Sequence, residues 1–277
     1  MINFHYRNIG VLILTLFLML QANAQLSFLG ARSTGVSNAS VTYKDNWSQF
    51  SNQAGIADIE EISIGAGFQN AYFIKELSTN ALAFALPTKS GVFGVNYTYF
   101  GYPKFNQSKF GLAFGKNLGK RISAGIQINY LYTYIEGEYG SQGLATGEIG
   151  LITEPIDNFF LAAHVSNFWR AKYTGVDEIY LPMLFKVGAS YLLYETALIS
   201  AEIEKDLEFP VIFKSGLEFN LVNKFFLRFG IASNPMVFSF GFGYKAKPFN
   251  VDIAFSKHPV LGYSPAITLE YSITKKR

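Results

Sequence analysis

Through much of this chain large apolar side chains fall on every second position. In one stretch Ile122, Ala124, Ile126 and Ile128 alternate with Ser123, Gly125, Gln127 and Asn129. Phe213, Leu217, Phe219 and Leu221 alternate with Lys214, Gly216, Glu218 and Asn220, and Phe238, Phe240, Phe242 and Tyr244 with Ser239, Gly241 and Gly243. A strand sends successive side chains to opposite faces, whereas a helix repeats every 3.6 residues, so this rhythm predicts strands. Mid-strand charges keep to the polar parity: Glu148, Lys186, Glu202, Lys214, Glu218, Arg228, Asp252 and Glu270. Glycine favours the same parity, at Gly125, Gly188, Gly216, Gly230, Gly241 and Gly243.

Fourteen such segments are expected, over 61–74, 80–86, 91–100, 108–116, 121–135, 142–153, 159–168, 183–194, 197–205, 211–222, 225–232, 236–245, 249–256 and 264–274. Several approach the length of about ten residues with which a tilted strand crosses a bilayer, longer than a soluble sandwich needs. The connections alternate. Tight ones at Pro87–Ser90, Asn117–Lys120, Glu154–Asn158, Glu195–Thr196, Asn223–Lys224 and Ala246–Pro248 are interleaved with longer ones at Gly101–Gln107, Glu136–Ser141, Trp169–Pro182, Asp206–Pro210 and Lys257–Tyr263. Short turns on one side and longer loops on the other are the habit of bacterial outer-membrane barrels, and an even strand number puts both termini in the periplasm. The expected fold is all-β: a transmembrane antiparallel barrel of about fourteen strands, polar parity inward. Exchanges of inward charges such as Lys214 are expected to cost less than an arginine at outward Phe219 or Leu227.

Composition agrees with that solvent. The chain has 277 residues, of which 49% are hydrophobic, 17% aromatic and only 16% charged, against roughly a quarter charged in ordinary soluble domains. The only long apolar run lies in the first 24 residues, where Val11–Leu20 follows Arg7 and precedes Ala22-Asn23-Ala24. That arrangement predicts a signal peptide over 1–24, cleaved before Gln25. The absence of cysteine excludes thiol catalysis, disulfides and a zinc ribbon. A formal net charge of +3, scattered along the chain, excludes a nucleic-acid surface.

Residues 25–60 lack the alternation and form a unit of their own before the barrel of 61–277. They contain Gly30-Ala31-Arg32, Gly35, Asn38-Ala39 and, after a polar stretch, Asn52-Gln53-Ala54-Gly55-Ile56-Ala57. This pattern resembles the N-terminal hatch of the FadL superfamily, which includes hydrophobic-compound transporters and the PorV-like proteins of type IX secretion. The last hairpin, from Val251 to Tyr271, is similar to that of the PorV-like branch. The resemblance implies a small hatch inside the lumen, with Gly30, Arg32, Gly35, Asn52, Ala54 and Gly55 as its motif. It implies a non-enzymatic outer-membrane protein without cofactor that either passes hydrophobic small molecules or serves secretion components and their cargo. A barrel with no transport route is the alternative, and its remaining partner would be outer-membrane lipid. Two departures stand out: Gln53 replaces a common proline, and the loops are shorter than in fatty-acid transporters.

Hydrolytic chemistry has one candidate, His164 with Ser166 and Asn167. Residues i and i+2 on a strand face stand about 6.5–7 Å apart, beyond the hydrogen bond that a nucleophile and its base require. His258, before Pro259, reads as a surface residue. Neither histidine finds companions for a metal site. The inward charges read first as cross-strand pairs, Lys186 with Glu202, Glu202 with Lys214 and Glu218 with Arg228, and otherwise as the lining of a polar channel.

Overall fold

The computed structural model describes residues 28–137, 140–172, 180–222 and 224–273. The expected signal peptide lies outside the described residues, as do parts of the connections at 136–141, 169–182 and 223–224. Fourteen strands close on themselves, every pair antiparallel. They are β1 (Ile62–Asn70), β2 (Ser78–Pro87), β3 (Val92–Tyr102), β4 (Phe105–Asn117), β5 (Ile122–Ile135), β6 (Gly140–Ile156), β7 (Phe159–Ser166), β8 (Leu184–Leu193), β9 (Ala197–Asp206), β10 (Ile212–Val222), β11 (Phe225–Ala232), β12 (Val237–Ala246), β13 (Phe249–His258) and β14 (Gly262–Ile273). Each strand pairs with its chain neighbours, and the seam joins β1 to β14 from Ile62↔Ile273 to Gln69↔Ala266.

The parity sorts the side chains as expected. Along β12, Phe238, Phe240, Phe242 and Tyr244 are exposed outward while Ser239, Gly241 and Gly243 are buried. Outward rungs continue across the sheet: Leu217, Phe229, Phe240 and Phe255 are register partners from β10 to β13, and the last two rings stack at 5.2 Å. Such a face has no aqueous explanation but suits hydrocarbon, where only a closed barrel or a helix satisfies its backbone.

Several connections are shorter than the sequence implied. The stretch Gly101–Gln107, read as a loop, is a hairpin turning at Pro103 and Lys104, because β3 runs to Tyr102 and β4 starts at Phe105. Likewise β13 reaches His258 and β14 starts at Gly262. The opposite error occurs after β1. Ala71, Tyr72, Phe73 and Ile74 fall within the first expected strand, but Tyr72 and Phe73 adopt left-handed φ of 59° and 58°, and a 3-10 turn follows at Lys75–Leu77. The wall is uneven: β6 has 17 residues where β7 has 8.

Residues 28–58 run inside this wall as helix α1 (Ala31–Gly35) and two 3-10 turns, Asn46–Phe50 and Gln53–Asp58. Asp45 caps the first turn, accepting from the Ser48 amide at 3.0 Å while Ser48 Oγ accepts from the Asp45 amide at 3.2 Å. Almost every residue of the segment is buried. Inward glycines make the space. A β-carbon at Gly65 would meet the Trp47 ring at 2.7 Å, one at Gly115 the Ile56 side chain at 2.6 Å, and one at Gly188 Val41 at 2.6 Å.

Candidate functional site

The lumen and the segment inside it form the candidate site. On one side the segment presents aromatic rings. Phe28, Trp47 and Phe50 are buried with Leu29, Ala81 and Ala83, and the Phe28 ring stands edge-on to Trp47 and Phe50 at 5.6 and 5.5 Å. Elsewhere it is polar, and wall carboxylates grip it at three places.

The first grip is on Arg32, from α1. Its Nη2 and Nε donate to the two oxygens of Glu218 at 2.6 and 2.9 Å, and Nη1 donates to Asp45 at 2.8 Å. Its guanidinium lies 4.2 Å from the centre of the Tyr43 ring. Burial disfavours the charge of Arg32, but Glu218, by charge and hydrogen bond, and then Asp45 hold its pKa well above the ordinary value. Glu218 also accepts from Arg228 Nε at 2.5 Å, and Arg228 Nη1 donates to Asp252 at 2.7 Å. A chain of five alternating charges thus runs from segment to wall, with Glu218 at its centre and Arg228 beside it fully buried.

At the second grip Glu202 accepts from the backbone amides of Ser40 and Val41, both at 2.9 Å, and from Lys214 at 2.9 Å. Lys214 reaches Glu204 as well, at 2.7 Å. The expected Lys186–Glu202 pair is corrected here: the register sets Lys186 opposite Glu204, leaving Gly188 opposite Glu202, and the Lys186–Glu204 ion pair spans 3.7 Å.

The third is Glu148. It accepts from Gln53 at 2.7 Å, His164 Nε2 shares a hydrogen bond with it at 3.1 Å, and Asn129 donates to its other oxygen at 2.7 Å. His164 therefore faces a carboxylate and the segment, with no hydroxyl nucleophile bonded to it. Asn167 instead donates to the Leu181 carbonyl at 2.8 Å. His258 Nδ1 accepts from the amides of Val260 and Leu261 at 3.2 and 3.1 Å. Among the described residues no three His, Asp or Glu side chains are grouped to hold a metal.

The eight inward charges singled out from sequence all face the lumen; seven are buried and Glu270 is half-buried. Of the motif residues, Arg32 and Asn52 make the polar bonds. Asn52 Nδ2 donates to the carbonyls of Val41 at 2.8 Å and Leu151 at 3.3 Å, while Oδ1 accepts from the Ala54 amide at 3.1 Å. Gly35 lies beside Arg228 and Gly241, where a β-carbon would meet both at 3.2–3.3 Å, Gly30 packs on Trp47, and Gly55 sits under the Tyr43 carbonyl. Ala54 packs with Val41, Ile152 and Ala162. Asp45, Gln53 and Glu204 were missed. Glu204 shares the inward parity of Glu202 on β9 and could have been read from it, whereas Asp45 and Gln53 lie in a segment without alternation.

Asn52→Ala removes three hydrogen bonds and leaves buried backbone groups unsatisfied, a loss of about 1–3 kcal/mol. The expected result is a loosened segment in a closed barrel: raised conductance in planar bilayers with unchanged heat-modifiable mobility on gels. Wild-type conductance in the variant would show that Asn52 does not hold the segment.

No family profile and no curated protein matches the chain. Solved structures do. The toluene transporter TodX of P. putida matches with a TM-score of 0.72 at 11% identity, covering 91% of this chain and 100% of that one. The toluene transporter TbuX of Ralstonia pickettii matches at 0.69 and 12%, covering 90% and 100%. A Pseudomonas aeruginosa FadL homologue matches at 0.59 and 9%, covering 88% and 97%. At such identities what is shared is the fold, and the chain has the barrel fold of FadL-type hydrocarbon channels.

Proposed function

We propose, from this shared fold, that the protein is an outer-membrane channel for hydrophobic small molecules, and that residues 28–58 are its plug. The filled lumen carries the reading: a buried segment with an aromatic face, tethered to the wall through polar groups at a few points. The rings of Phe28, Trp47 and Phe50, set against the small Ala81 and Ala83 of β2, offer a solute the one chemistry it can use, dispersion and edge-to-face contact. The polar grips cannot bind such a solute; they decide whether the segment stays or yields. The chemistry in this reading is non-covalent.

Toluene is the first compound to try, since two proteins of this fold transport it. Proteoliposomes containing the protein should accumulate labelled toluene faster than protein-free vesicles, and Trp47→Ala should change the rate without unfolding the barrel. Equal rates with and without protein would overturn the reading. A second reading, accessory of protein secretion, draws support from apolar tips that project beyond the wall, with Phe73 68% and Val260 85% exposed. Co-purification of secretion components with a protein inert toward hydrocarbons would favour it.

A further inference from the structure

At the end of the barrel where the turns are tight, the outward rung is a girdle of apolar and aromatic residues. It includes Leu86 on β2, Ile122 on β5 and Leu193 on β8. It also holds the ring pairs Phe225–Tyr244 at 4.9 Å and Phe249–Tyr271 at 5.1 Å. On β4 the girdle is broken by a cation, because Lys116 occupies the outward position two residues beyond Phe114. Ala124 stands opposite Lys116 on β5. On the other flank Gly91 brings no side chain of its own, and the Phe114 ring and the Gly115 carbonyl already fill the place of its β-carbon, both 2.7 Å away. The lysine thus has a single methyl group as its cross-strand neighbour on β5 and no side chain from Gly91.

Two more lysines lie on the adjoining turns, Lys89 between β2 and β3 and Lys120 between β4 and β5, and both are exposed. None of the three pairs with a carboxylate among the described residues, whereas Arg121 beside them is bonded to Asp157 at 2.9 Å. Directly above lies a lipid-facing groove lined by Phe93, Val95, Leu112, Phe114, Ile126 and Ile128. Its end is marked by the tilted Phe93–Phe114 pair at 4.9 Å. An apolar channel in the hydrocarbon layer, ending in three unneutralised ammonium groups at headgroup level, has the form of an anionic lipid.

We propose that this face of β3–β5 binds one anionic glycerophospholipid, an acyl chain in the groove and the phosphate against Lys116, Lys89 and Lys120. A comparable groove near the opposite end, lined by Phe229, Phe238, Phe240 and Tyr263, also has a lysine. There, Lys257 already lies over the Tyr263 ring at 5.6 Å. It provides the control.

The test is native mass spectrometry of the full-length protein titrated with phosphatidylglycerol and, separately, phosphatidylcholine. Wild type should retain one phosphatidylglycerol in preference to phosphatidylcholine. Lys116→Gln should weaken it roughly fivefold, and the Lys89/Lys116/Lys120→Gln variant on the order of a hundredfold, as about 1 kcal/mol per surface cation implies. Ala124→Trp, which sets a large ring beside Lys116 and leaves every lysine, should weaken it too, while Lys257→Gln and Lys224→Gln should not. Heat-modifiable mobility confirms that each variant is folded. Equal retention of the two lipids, an undiminished triple variant, or equal losses in the controls would overturn the proposal. So would displacement of phosphatidylglycerol by lipid A, or a dimer in place of the lipid adduct.

Discussion

Glu218→Ala should cost the folded protein about 3–5 kcal/mol, the usual penalty for breaking a buried ion pair by removing one partner. Two guanidiniums lean on this carboxylate, Arg32 from the segment and Arg228 from the wall. Each keeps one acid, Asp45 or Asp252, yet both remain buried around an empty place. Glu218→Gln, which preserves shape and some hydrogen bonding but not charge, should fall in between. The measurement is urea unfolding in detergent, read beside conductance, since a released Arg32 also frees the segment. The ion pair Lys104–Glu136, with side chains 69% and 56% exposed, is the reference. Glu136→Ala should change stability by no more than about 1 kcal/mol. Similar values at Glu218 and Glu136 would mean that the charge chain is solvated and holds nothing.

The second large effect belongs to the outer face. Phe229 sits midway along β11 with Leu217 and Phe240 on either side, and half of it is exposed. Phe229→Arg should cost roughly 2–4 kcal/mol when folding is measured into bilayers, because an arginine at the midplane must be dragged out of hydrocarbon. At Phe225, at the turn end of the same strand, the penalty should shrink to about 0–1 kcal/mol. Equal penalties at the two positions would mean that Phe229 does not lie at the depth its rung implies.

The alternation made most of the wall legible, and it failed where its physical cause stops. Within the membrane one face meets lipid and the other the lumen, so the residues separate by parity. Beyond the membrane both faces meet water, and Gly101, Pro103 and Asn106 looked like a loop although strands pass through all but Pro103 and Lys104. Ala71 to Ile74 erred the other way: apolar residues resembled strand, while left-handed backbone at Tyr72 and Phe73 turned the chain. The charges were legible as inward-facing and in part as bonded: Glu202 pairs with Lys214 and Glu218 with Arg228 as expected. The second carboxylate on Lys214, Glu204, was not foreseen, and with two partners Lys214 is less exchangeable than its parity alone implies. Pairing across the lumen depends on how a segment without periodicity folds. Gln53 is the clearest case, since the residue standing where the hatch that this segment resembles commonly has proline is the segment residue that bonds Glu148.

The inward glycines bear on whether the segment could be exchanged between barrels. Gly65, Gly94, Gly125, Gly150, Gly216 and Gly230 lie against Trp47, Gln49, Gln53, Asn52 and Val36. A methyl group at any of them would strike the segment at less than ordinary contact distance. The wall is therefore a mould of this one insert. A foreign N-terminal segment grafted ahead of Ile62 would meet hollows in the wrong places, and its own wall's glycines would have to travel with it. Segment and barrel are two regions in sequence but a single inheritable module.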